Sequence, residues 1–79
     1  MTKRLAISAP QHRFLLAVET LGQMPVDGPD AAKYSVATRR ASRHAGWARI
    51  AGTLGAFAWE LTEAGAFQLA EIRRAREAA

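Results

Sequence analysis

Arg39, Arg40 and Arg43 stand close together in the chain, with Lys33 before them and Arg49 after, and no acidic residue occurs from Ala31 through Trp59. Guanidinium groups so placed are suited to anions, because each presents a fork of donors and a permanent charge. Ser35, Thr38 and Ser42 add short hydroxyl donors to the same stretch, and His44 adds an imidazole. The formal net charge of +4, from 11 Lys and Arg against 7 Asp and Glu, favours anionic partners in the same direction. The alternative is a solvated arginine face without a ligand.

Other chemistries lack their parts. With no cysteine the chain has neither disulfides nor thiolate metal ligands, and its 2 histidines, His12 and His44, have no carboxylates at ligand spacing beside them. No Ser-His-Asp set, paired carboxylates or phosphate-cradling glycine loop is recognisable, and Gly52-x-x-Gly55 alone reads as a turn. The chain is therefore read as a non-enzyme without cofactor or metal. Trp47, Phe57 and Trp59 alternate with small residues near Arg49 and could stack on single-stranded bases, but they read better as core.

A chain of 79 residues holds one small domain. Alanine supplies much of its apolar content, which suits helices packed closely. No apolar run is long enough to span a bilayer, and the start, MTKRLAISAP, lacks the apolar stretch of a signal peptide. A cytoplasmic protein with no membrane partner is expected.

The elements that must position the arginines follow from caps, breakers and periodicity. Residues 1–8 read as a flexible N-terminus whose last residue, Ser8, caps a helix with Pro10 in its first turn and Gly22 as its stop. Phe14, Leu15, Val18 and Leu21 form its apolar face, with Ala17 beside it. The segment QMPVDGPD reads as a loop. Pro29 can open a second helix, with Asp30 set favourably at its positive end. Residues 30–45 could be one helix or two, and a break near Tyr34 and Ser35 is favoured because serine is a good N-cap. The helix after it puts Ala37, Ala41 and Ala45 on one side and Ser35, Arg39, Ser42 and Arg43 on the other, with Arg40 and His44 flanking the polar face. The alanine stripe is expected to pack inward.

Gly46 ends that helix and Trp47 anchors a strand to about Ala51, followed by a turn over Gly52 to Gly55 and a return strand from Ala56 to Leu61. Phe57, Trp59 and Leu61 share one face of the return strand and are expected to be buried. Thr62 caps a last helix over residues 62–79, where Phe67 and Ala70 point one way and Leu69 and Ile72 nearly the other. Such a two-sided helix suits a homodimer or another protein partner. Arg73, Arg74 and Arg76 near its end complement the helix dipole and offset Glu71 and Glu77.

The order of helix, short helix, basic helix, Gly46-Trp47 strand, turn, strand and Leu61-Thr62-Glu63-Ala64-Gly65 resembles the winged helix-turn-helix family over roughly Pro10 to Ile72. Many bacterial members have a glycine and an apolar residue after the recognition helix and a Leu-Thr-x-x-Gly motif closing the wing. The resemblance implies a mainly α fold with a small β-hairpin, residues 47–61 being the wing. It also implies a helix around residues 35–45 lying in the major groove of double-stranded DNA, as in a small transcription regulator. Arg39 and Arg43 would then read guanine, Ser35, Thr38 and Ser42 would meet phosphates or base edges, Arg40 and His44 would flank them, and Lys33 and Arg49 would extend the surface to neighbouring phosphates. Two features depart from the family pattern. Ser42 stands where the recognition helix usually has a leucine, so that either the register slips to Ala41 or the helix packs differently; and the interval from Gly22 to Gly46 is compressed. The hairpin tip, Gly52-Thr53-Leu54-Gly55, also has no basic residue to enter a minor groove. The same fold could serve instead as an adaptor or inhibitor acting on a protein, independently of DNA.

Overall fold

Ser8 opens the first helix, α1 (Ala9–Leu21), in the computed structural model of the chain, which describes residues 7–78. Its hydroxyl accepts the Gln11 N–H while the Gln11 side chain accepts the Ser8 N–H, so two backbone donors at the helix start are satisfied reciprocally. Ile7 packs against the core, so the ordered fold reaches back into the segment expected to be flexible; residues 1–6 lie outside the described residues. Phe14, Leu15 and Val18 are fully buried as their spacing requires, whereas Leu21, one turn further and next to the closing Gly22, is 48% exposed.

The segment read as a loop contains a short strand, β1 (Met24–Pro25). Met24 is fully buried and anchors it, and Pro25, which has no N–H to give, is tolerated because β1 lies at an edge of its sheet. The chain then forms α2 (Pro29–Ala32) and, after a break at Lys33 to Ser35, α3 (Val36–His44). The favoured break near Tyr34 and Ser35 is the observed one, and Ser35 caps α3 by accepting the Thr38 N–H at 3.0 Å.

Gly46, at φ +83°, turns the chain out of α3 in a conformation that costs glycine little. The hairpin strands are β2 (Ala48–Thr53) and β3 (Ala56–Leu61), antiparallel with Ala48 opposite Leu61 and Thr53 opposite Ala56. β3 has the expected bounds, whereas β2 runs two residues closer to the tip than expected, which narrows the turn to Leu54 and Gly55. β1 pairs antiparallel with β3, giving the sheet order β1-β3-β2. The fold is thus a small α/β domain of 4 helices and a 3-stranded antiparallel sheet among the described residues, rather than helices with a lone hairpin.

The last helix, α4 (Glu63–Ala78), is locked to the hairpin by the Leu-Thr-x-x-Gly segment. Thr62 donates its N–H to the Trp47 carbonyl and its hydroxyl to the Gly46 carbonyl, while the same hydroxyl accepts the Gly65 N–H and caps α4. Gly65 lies so close to Trp47 that a Cβ there would fall 2.0 Å from the Trp47 carbonyl oxygen. The glycine of the segment is therefore required by close approach of two backbones.

One core joins these elements: Phe14, Leu15, Val18, Met24, Ala31, Ala48, Trp59 and Leu69 are buried together. Phe14 lies 5.4 Å from both Tyr34 and Trp59, edge-on to the latter, a geometry that adds about 1 kcal/mol beyond area burial. Trp47 and Leu61 pack against the cluster half-buried. Phe57 corrects the expectation of a wholly buried aromatic face: it shares the face of Trp59 but sits opposite Gly52, toward the tip, and is 45% exposed. On α4, Leu69 faces the core and Phe67 faces outward, as the two-sided pattern anticipates. No helix among the described residues is long and apolar enough to cross a membrane.

Candidate nucleic-acid interface

α3 presents the face opposite to the one its sequence suggested. Ser42 is fully buried, and its hydroxyl donates to the Thr38 carbonyl at 3.0 Å, so its one polar group is satisfied inside the helix and the side chain fills little space. Ala37, Ala41 and Ala45 are exposed. α3 thus approaches α1 along Thr38 and Ser42, and the alanine stripe faces outward. At the position where the resembled pattern has leucine, Ser42 keeps the inward register without the bulk.

This inversion corrects the expected contacts. Ser42 has no surface to offer a ligand. The Ser35 hydroxyl donates to Thr38 Oγ1 at 2.9 Å while accepting the Thr38 N–H, so both hydroxyls are engaged in the cap. Arg39 is half-buried and its Nε donates to the Tyr34 carbonyl at 3.1 Å, tying it to the break that precedes α3. Arg40, Arg43 and His44 are exposed and line an open depression of about 480 Å³. Arg39, Arg40 and Arg43 also converge, with Val36 and Trp59, on a smaller notch of about 130 Å³ between α3 and the sheet.

The outlying cations are differently placed. Lys33 pairs with Asp30 at 3.4 Å, and Arg49 pairs at 3.2 Å with Glu60, its partner across the β2–β3 ladder. Gln23 donates to the other Glu60 oxygen at 2.7 Å. The Gln23 hydrogen bond first, and the Arg49 hydrogen bond after it, hold the Glu60 carboxyl below its ordinary pKa. On α4, Arg73 pairs with Glu19 of α1 and Arg74 with Glu71. Arg40 and Arg43, by contrast, make no ion pair or side-chain hydrogen bond among the described residues. Their charge is thus not offset by a neighbouring carboxylate among the described residues, whereas Lys33 and Arg49 are partly neutralised.

The hairpin tip adds no charge: Leu54 is 92% exposed, with no basic residue beside it. Histidines do not gather either, for His44 ends α3 while His12 lies on α1, in a cleft with Leu16, Leu69, Arg73 and Arg76. Burial, then the positive charges of Arg76, Arg13 and Arg73, lower the His12 pKa. Sequence reasoning missed Val36, Ala37 and Ala41 as members of the exposed face. The spacing of Ala37, Arg40, Ala41 and His44 along one helix face was the available signal. No protein-family model, curated protein or solved structure matches the chain.

Proposed function

We propose that the chain is a winged helix-turn-helix domain that binds double-stranded DNA through the outer face of α3, as a small transcription regulator. The observation that carries this reading is the pair Arg40 and Arg43, exposed and unpaired among the described residues, beside His44 on a face otherwise made of Ala37 and Ala41. Alanines let the helix axis come close to the floor of a major groove, where their methyls suit the thymine methyl. Arginines at the edges of such a face reach guanine or phosphate. The order of elements and the Thr62 and Gly65 contacts that join hairpin to last helix are consistent with the winged architecture.

Binding to random-sequence duplex measured across a salt series tests the reading. Affinity should fall steeply as salt rises, and Arg40→Ala and Arg43→Ala should each lower the slope of log K against log salt by about one. Lys33→Ala and Arg49→Ala should have smaller effects, because carboxylates already hold those cations. No binding at low salt would sink the DNA reading.

A second reading, a protein-interaction module independent of DNA, is favoured by different surface. Leu54 at 92%, Phe57 at 45% and Phe67 at 60% exposure are large apolar groups facing solvent. The outward Phe67 face of α4 is where a homodimer or other protein partner would dock under that reading.

A further inference from the structure

Leu69, Ile72, Arg73 and Arg76 of α4 turn toward α1, where they line a cleft with His12, and Gly65 meets the Trp47 backbone. Glu63, Phe67, Ala70 and Arg74 lie on the opposite side of the helix, at successive spacings of four, three and four residues. Such spacing makes a continuous seam of the kind along which one helix meets another. The middle of the seam is apolar, with Phe67 60% exposed beside Ala70, and its two ends carry opposite charge. Glu63 at the start has no ion pair or side-chain hydrogen bond among the described residues. Arg74 at the other end keeps an exposed side chain although Glu71 holds one of its nitrogens.

We propose that a second copy of this chain covers the seam, with the two α4 helices antiparallel and Glu63 of each paired with Arg74 of the partner subunit. The positions are symmetric about the middle of the seam: when Glu63 meets Arg74 of the partner subunit, Phe67 meets Ala70 of the partner subunit, so each ring rests on a methyl. Parallel helices would set Glu63 against Glu63 and Arg74 against Arg74, so the charges select the antiparallel order. Because the same residues serve on both copies, the contact closes as a two-fold dimer and does not run on into a fibre. Its apolar centre is small, and interfaces under about 1,200 Å² belong to weak complexes, so a dissociation constant on the order of 10–100 µM is expected. The pairing rests on the protein-interaction reading of the Phe67 face, commits that face to self-association, and does not require DNA.

Sedimentation equilibrium of the whole chain from about 5 µM to about 1 mM should show monomer at the low end and dimer at the high end. Phe67→Ser, at a side chain the fold leaves exposed, should weaken association about tenfold while the circular dichroism melt at dilution stays unchanged. Glu63→Arg and Arg74→Glu each bring like charges together at both ends of their own homodimer and should each weaken it about tenfold. Mixed in equal amounts, the two variants bring opposite charges together at both ends, and the dimer should return. A wild-type chain that stays monomeric at the highest concentration overturns the pairing. So does a dimer that Phe67→Ser leaves intact, or a pair of variants that associate as well alone as mixed. Random-duplex binding by the same samples separates the readings. A monomer that binds duplex overturns the pairing and leaves the DNA reading standing. A dimer that binds duplex leaves the pairing standing and removes the DNA-independent module, and a dimer that binds none leaves the pairing standing while the DNA reading falls.

Discussion

Arg39 and Arg40 are neighbours in sequence, yet Arg39 is half-buried with its Nε fixed on the Tyr34 carbonyl while Arg40 is exposed, with no partner among the described residues. Such differences decide which charges are available to a ligand, because a cation already facing a carboxylate gains less from a phosphate. His12 shows the same dependence on surroundings in its titration. Burial and the nearby Arg76, Arg13 and Arg73 favour its neutral form in the folded chain, so the unfolded chain takes up the proton first, near 6.5. Stability should therefore fall as pH drops from 6.5 through the lower folded pKa, and His12 should contribute no slope above that window. Urea unfolding from about pH 7.5 to about pH 5 should show this slope, and His12→Gln should flatten it. Glu60 does not confound the measurement. Its pKa is depressed below 4.5, so the stability it contributes is present above 4.5 and is lost only as pH falls through the lower folded value.

α3 and α4 illustrate two ways an element finds its place. α3 is amphipathic, but its two candidate inward faces are alanine and a mixture of Thr38, Arg39 and Ser42. Alanine carries little burial energy, and a serine whose hydroxyl returns to its own helix can be buried cheaply, so composition does not decide between them. α4 is placed by backbone contact at its first turn, where Thr62 joins Gly46, Trp47 and Gly65. Gly65→Ala would drive a methyl into the Trp47 carbonyl, and neither backbone can yield without breaking those bonds. We expect a loss of about 3 kcal/mol in chemical denaturation, at the top of the usual overpacking range. A loss under about 0.5 kcal/mol, the size of an ordinary surface change, would show that α4 is not anchored there.

At the scale of the whole molecule, a single buried cluster takes residues from α1, β1, α2, β2, β3 and α4. The domain spans 44 × 21 × 20 Å, and among the described residues there is no second core to stabilise any part alone. Unfolding should then be all-or-none: the helical circular dichroism signal and the tryptophan fluorescence, from Trp47 and Trp59 at the hairpin, should give superimposable transitions. Two separated transitions would mean that the hairpin melts independently of the helices.

The chain's own residues determined α1, the break before α3, the hairpin and the start of α4, because caps, prolines and strand alternation act over a few residues and need no distant partner. They also determined that the charge around α3 is positive. Tertiary structure decided what local rules cannot reach. β1 exists because Met24 finds the core and pairs across from Trp59, many residues away. Phe57 is exposed because the hairpin extends past the helices that cover Trp59. Ser42 faces inward and Ala41 outward because α1, not α3 itself, sets which side of that helix meets the core. The same rotation moved the available arginines from Arg39 and Arg43 to Arg40 and Arg43 and brought Trp59 into one notch with them.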